Sequence, residues 1–274
     1  MTQFEPKSAN TADGTITYLE AGHGPPLVLL HGIGSGSASW SAQIEKFSGD
    51  YRVIAWDAPG YGGSDPVVPA SPAATDYAAR LHSFLDALEV DVCHLVGHSL
   101  GAIMACGFTR TTSGRVGSLL IASPASGYGP DGEEVQAKRR AGRINLLESL
   151  GPEGLARERH GNLLSDDAPQ WARDRVRDVM SRICPDGYRQ AVELLVLGDI
   201  KSDAAQIKLA ATVVVGGADT VTPPDGCRSV AESFSSSTFH VLPGLGHACY
   251  VEGPDAFNDV LSDHLGRSNE CPTT

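Results

Sequence analysis

An α/β fold built on a mostly parallel sheet is what this sequence predicts, on three observations. Short apolar runs recur along the chain without the polar alternation of a half-exposed strand. Amphipathic stretches with helical spacing separate them. One interval, from about residue 126 to residue 206, shows no strand pattern. Strands covered by helices on both faces read as unbroken apolar runs, and strand–helix–strand alternation implies a parallel α/β sheet.

Taken in order, residues 15–19 follow the turn pair Asp13-Gly14 and read as an early strand. Residues 27–30 form an apolar run bounded by Pro25-Pro26 and Gly32. Runs of the same form follow at 51–56, 92–96, 119–122, 212–215 and 238–242. Between them, residues 76–88 place Tyr77, Leu81, Phe84, Leu85 and Leu88 on one helical face, with Thr75 as expected N-cap. Residues 254–265 open on Pro254-Asp255 and are expected to stop before Gly266. Inside the strand-free interval, 133–150, 168–183 and 188–197 have helical patterns. They are separated by Gly151-Pro152, Ser165-Asp166-Asp167 and Pro185-Asp186-Gly187. A connection of roughly 80 residues carries its own structure and often covers a site. The expected organisation is therefore a core of residues 1–125 and 207–274, with a helical cap of residues 126–206 inserted in it.

Composition narrows the function. The 274 residues are 41% hydrophobic and 20% charged, as in a globular protein, and carry a formal net charge of −12. Such a surface repels nucleic-acid phosphates and anionic lipid, so a small-molecule substrate is expected, with no nucleic-acid or membrane partner. The start, Met1 to Lys7, lacks a basic segment leading into an apolar core, which gives an expectation of a cytoplasmic protein. Six cysteines, Cys93, Cys106, Cys184, Cys227, Cys249 and Cys271, show no C-x-x-C spacing and read as reduced thiols. Neither a metal nor an organic cofactor is expected. Cys249, two residues after His247, reads as packing.

The chemistry is carried by Gly97-His98-Ser99-Leu100-Gly101, placed between the run at 92–96 and a helical stretch. In that setting G-x-S-x-G is a sharp strand-to-helix turn that lifts a serine hydroxyl clear of the backbone, with glycines where side chains would strike the neighbouring strand and helix. A serine hydroxyl needs a base, and the base an orienting acid. The chain order that goes with this turn is serine, acid, histidine. Of the four histidines after Ser99, His160 lies in the insertion, His240 in a strand pattern and His264 in the last helix. His247 sits in a loop after a strand, where ligands meet an open α/β sheet. Asp219 follows the run at 212–215 in the same way; Asp225 reads better as a helix opening. The backbone N–H of Leu100 and, from the loop beginning His31-Gly32, that of Ile33 are the expected oxyanion donors. His31 is expected to brace that loop.

These residues resemble the α/β-hydrolase superfamily over nearly the whole chain. The matching segments are 29–34, 53–64, the elbow at Ser99, Gly216-Gly217-Ala218-Asp219 and Gly246-His247. The resemblance implies an eight-stranded, mostly parallel sheet, a helical cap after the sixth strand, and structural roles for Asp57 and Ser64. Within the superfamily the chain is similar to capped bacterial serine hydrolases: 3-oxoadipate enol-lactonases and carbon–carbon hydrolases of ring-fission products. It departs from haloalkane dehalogenases and epoxide hydrolases, which place Asp where Ser99 stands. It departs from ring-fission hydrolases at Ala248, where Trp is common, and from cofactor-free haloperoxidases at Leu100. The expected activity is hydrolysis of a small carboxylic ester or lactone through an acyl-enzyme. Carbon–carbon hydrolysis of a ring-fission product, or a triad-bearing receptor with slow turnover, are the alternatives. The arginines Arg139, Arg140, Arg143, Arg157 and Arg159 read either as carboxylate binders or as solvated helix faces paired with Glu133, Glu134 and Glu158.

Overall fold

The computed structural model describes residues 4–112 and 114–269. Met1–Gln3 of the polar start and Cys271 lie outside them. Among the described residues the strands are β1 (Lys7–Thr11), β2 (Gly14–Ala21), β3 (Pro26–Leu30), β4 (Arg52–Trp56), β5 (Cys93–His98), β6 (Val116–Ala122), β7 (Ala211–Gly216) and β8 (Ser237–Leu242). They form one eight-stranded sheet in the order β1-β2-β4-β3-β5-β6-β7-β8. Pairs from β4 to β8 are parallel, while β1 with β2 and β2 with β4 are antiparallel.

The unbroken apolar runs are explained by two cores, one on each face of this sheet. Val28 and Leu30 pack with Phe84 and Phe108 on one side. Their neighbours Leu27 and Leu29 pack with Trp40 and Phe257 on the other. Each such aliphatic side chain contributes about 2 kcal/mol by leaving water. β1 has no apolar run because it is an edge strand on which only Ala9 is buried; its place is set by the hairpin with β2, in register from Lys7–Tyr18 to Thr11–Gly14.

The helices are α1 (Ser41–Phe47), α2 (Ala74–Ala87), α3 (Leu100–Thr111), α4 (Glu133–Arg159), α5 (Gln170–Ser181), α6 (Pro185–Leu197), α7 (Ile200–Ala204), α8 (Pro224–Ala231), α9 (Cys249–Glu252) and α10 (Pro254–Asn269). Four expectations are corrected. Thr75 is not the N-cap of α2 but lies inside it; the Ala73 amide donates to Asp76 Oδ2 at 2.8 Å, starting the helix earlier. The helix expected to end at 150 resumes after a break at Gly151 (φ 64°, ψ 176°), because Pro152 can open a new helical turn. Pro185 likewise opens α6 rather than separating helices. Finally α10 runs through Gly266, which costs only about 1 kcal/mol in a helix, while Phe257, Leu261 and Leu265 keep its inner face buried. Helices α4 to α7 lie between β6 and β7, with no strand among them. Among the described residues no helix is long and apolar enough to cross a membrane.

One buried polar chain ties α10 to the sheet. His264 Nδ1 meets Thr212 Oγ1 at 2.9 Å, and His264 Nε2 meets Ser118 Oγ at 2.9 Å. Ser118 Oγ also meets His94 Nδ1 at 2.8 Å. Burial, aided by the nearby His94 and Arg267 charges, pushes the His264 imidazole down to about 4. An unfolded histidine titrates near 6.5, so the unfolded chain takes up protons first. The contribution of His264 is whole above about pH 6.5 and is lost as pH falls toward its folded value, by about 1.4 kcal/mol per unit. The urea midpoint is therefore expected to drop between about pH 7.5 and pH 4.5, and to drop less in His264→Gln. Equal drops in both proteins would exclude this source.

Candidate active site

The C-terminal ends of β3, β5, β7 and β8 bring the sequence-predicted residues to one rim of the sheet. Between β5 and α3 the chain reverses through Ser99 at φ 53° and ψ −113°, a conformation L-residues rarely adopt. Space there is minimal. A Cβ on Gly97 would lie 2.4 Å from the Gly101 carbonyl oxygen, and one on Gly101 would lie 2.3 Å from that of Leu30. The turn is held by Ser99 N–H donating to Ala122 O at 2.9 Å, and by the Ser99 carbonyl accepting from Ala102 N and Ala125 N.

Asp219 and His247 meet. Asp219 Oδ2 accepts from His247 Nδ1 at 2.9 Å, and Oδ1 accepts from the amides of Val221 and Thr222 at 2.8 and 2.9 Å. The bond to a carboxylate fixes the tautomer with a proton on Nδ1, leaving Nε2 as the basic nitrogen. Burial pushes the Asp219 carboxyl up, but hydrogen bonds and charge from His247 and Thr222 outweigh it, and its pKa lies below the usual value. Thr222 is the residue sequence reasoning missed. Its hydroxyl donates to Asp219 Oδ2 at 2.8 Å or to Ser123 O at 3.1 Å, and lies 3.1 Å from His247 Nδ1. Its only sequence signal is its position three residues after Asp219. Ser99 and His247 line the same cavity; no hydrogen bond between Ser99 Oγ and His247 Nε2 is present among the described residues. Such bonds are often long before a substrate is bound.

The loop carrying His247 is fastened to the cap and to the strand end before Ser99. Glu252 is buried; it accepts from Gly246 N at 2.9 Å, from Ser165 N at 3.1 Å, and from the Ser165 hydroxyl. Ala248 N donates to Leu163 O at 2.7 Å. His98, the residue before the serine, donates from Nε2 to the His247 carbonyl at 3.0 Å. Burial and the neighbouring His247 push the His98 imidazole down to about 3, so it is a neutral brace. Cys249 is fully buried and its thiol is pushed up to about 12, first by burial and then by the Asp219 charge, in accord with packing.

Leu100 follows Ser99 in the chain, and Ile33 lines the same cavity as Ser99. Among the described residues neither amide donates in a turn or loop hydrogen bond. His31 braces the Ile33 loop, donating from Nδ1 to Gly32 O at 2.9 Å and accepting at Nε2 from Ala58 N at 3.0 Å. Asp57 accepts from Ser37 N and Thr17 Oγ1, and Ser64 Oγ donates to Asp57 O; both hold loops together. Ile33, Ser99, Thr222 and His247 border a cavity of about 260 Å³, closed above by α4, α5 and α6 through Leu155, Val176, Val179 and Tyr188. Among the described residues no group of three or more His, Cys, Asp or Glu side chains is placed to hold a metal ion. A hydroxyl and an imidazole on one cavity, with two amides that donate in no turn or loop bond, form a set that can attack a carbonyl and stabilise the oxyanion produced.

Comparison with known proteins places the chain in a family. A family model described as "Alpha/beta hydrolase family" matches residues 27–260. A protein of Stutzerimonas stutzeri provisionally named carbamate hydrolase RutD is 25% identical over 246 residues, 88% of this chain and 91% of its own. The 2-hydroxy-6-oxononadienedioate/2-hydroxy-6-oxononatrienedioate hydrolase of Paraburkholderia phymatum is 29% identical over 266 residues, 92% of this chain and 91% of its own. The structure of an enol-lactonase from Burkholderia xenovorans superposes with a TM-score of 0.82 at 21% identity, over 95% of this chain and 100% of that one.

Proposed function

The chain belongs to the α/β hydrolase family, and from that premise we propose that it is a serine hydrolase that cleaves a small carboxylic ester or lactone. Ser99 is the nucleophile, His247 the base and Asp219 the acid that orients it. The observation that carries this reading is the strained Ser99 turn opening into a cavity shared with an imidazole whose far nitrogen is held by Asp219 at 2.9 Å. His247 Nε2 takes the Ser99 proton as Oγ attacks the carbonyl carbon. The amides of Ile33 and Leu100 hold the oxyanion, which collapses and expels the alcohol with the proton from His247. Water, deprotonated by the same imidazole, then releases the acid and restores Ser99. Residues 126–206 form the cap over a core of 1–125 and 207–274, and the cavity volume suits a small molecule.

A second reading, hydrolysis of a carbon–carbon bond in a ring-fission product, is favoured by the name of the Paraburkholderia relative. A panel of an activated chromogenic ester, an enol-lactone, a carbamate and a dienoate ring-fission product separates the readings. The ester or lactone is expected to give a kcat/KM at least tenfold above the dienoate, with an acyl-enzyme burst. A reversed order transfers the assignment to carbon–carbon hydrolysis. Ester binding with one slow turnover makes the protein a receptor.

A further inference from the structure

The cap arginines divide into two groups. Arg140 is bound in a two-point ion pair to Glu193 at 2.6 and 3.0 Å. Arg177 pairs with Asp174, Arg182 with Asp178, Arg189 with Asp186 and Glu148, and Arg157 lies 3.9 Å from Glu153. Arg173 and Arg175 are used on backbone carbonyls. By contrast Lys138, Arg143 and Arg159 have no hydrogen bond or ion pair among the described residues. Arg139 has only the Tyr128 ring, 5.2 Å from its guanidinium carbon.

Those four cations are not scattered. They line one groove of about 520 Å³ on the cap, together with Tyr128 and Tyr188, and among the described residues no carboxylate lines it. Arg143, Arg159, Tyr128 and Tyr188 also line the cavity over Ser99, whose wall among the described residues likewise contains no Asp or Glu. The groove and the cavity are thus adjoining compartments with two arginines on their common border. In a chain of net charge −12, four unneutralised cations gathered in a groove repel one another, and an anion bound there relieves that repulsion.

We propose that the substrate is an anionic ester or lactone, and that the groove of Lys138, Arg139, Arg143 and Arg159 holds its carboxylate or phosphate while the scissile carbonyl lies at Ser99. Arg143 and Arg159 are the specificity-determining residues, because they alone of the four reach both compartments. The location of the carbonyl rests on the serine-hydrolase reading; the anion subsite does not. It also resolves the two sequence readings of the cap arginines. Arg140 and Arg157 are paired, though with Glu193 and Glu153 rather than with the expected Glu133, Glu134 or Glu158, whereas Arg139, Arg143 and Arg159 face a space that a ligand anion fits.

The test compares mono-4-nitrophenyl glutarate with its neutral methyl ester, 4-nitrophenyl methyl glutarate, on the parent, on Arg143→Gln/Arg159→Gln and on Arg157→Gln. The parent is expected to favour the anionic ester by about tenfold or more in kcat/KM, the scale of a charge-assisted contact. That ratio collapses toward one in the double variant and persists in Arg157→Gln. Inhibition by free glutarate against inorganic phosphate tells which anion the groove prefers. A parent ratio of one or below, or a ratio unchanged in the double variant, overturns the proposal. If neither ester is cleaved, the serine-hydrolase reading is what fails. The subsite is then decided by calorimetry with glutarate and phosphate: binding to the parent and not to the double variant supports it, and no binding to the parent removes it.

Discussion

Replacing Ser99 by alanine is expected to lower kcat by about four orders of magnitude or more on any ester the parent cleaves, since members of such a catalytic unit fail together. The fold is expected to persist, because the turn is held by the backbone of Ser99 and not by its hydroxyl. A second substitution sharpens the test. At φ 53° any side chain is strained, and glycine there relieves a cost of about 1–3 kcal/mol. Ser99→Gly is therefore expected to be equally inactive yet to melt at a higher temperature than Ser99→Ala. Parent-like turnover of a chromogenic ester by either variant would remove Ser99 from the chemistry.

Asp219→Asn is expected to lower kcat by about 10⁴-fold with little change in KM for the same ester. The carboxylate accepts four hydrogen bonds, from two amides, the Thr222 hydroxyl and His247 Nδ1. An amide at that position keeps the shape but can accept through only one of its two terminal atoms. With its NH₂ toward the ring, Nδ1 must become the acceptor and the proton moves to Nε2, the atom that has to take the Ser99 proton. With its NH₂ toward the turn, the amides of Val221 and Thr222 face another donor. Burst kinetics on the variant separate the two steps; an unimpaired burst would mean that Asp219 does not set the tautomer.

The parts legible in the sequence were those governed by local rules. Runs such as Leu27–Leu30 announce a sheet buried on both faces, because neighbouring residues go to different cores. The positions of Ser99, Asp219 and His247 follow from where strands end. What sequence did not disclose depends on partners far along the chain. β1 has almost nothing to bury and exists by pairing with β2. Glu252 is an ordinary helix residue until Ser165, 87 residues away, is brought against it. The pairing of Arg140 with Glu193 spans 53 residues, so no pattern of i,i+4 neighbours reveals which cap arginines are already satisfied.

The Glu252 contact has one more consequence. A single carboxylate grips Gly246, next to the imidazole, and Ser165, in the segment that roofs the cavity. The roof and the loop that carries His247 therefore share an anchor. Selectivity cannot be retuned by exchanging the roof as a free-standing part: a transplanted one must bring a hydroxyl to that spot, or the aim of the imidazole is loosened along with the choice of ligand.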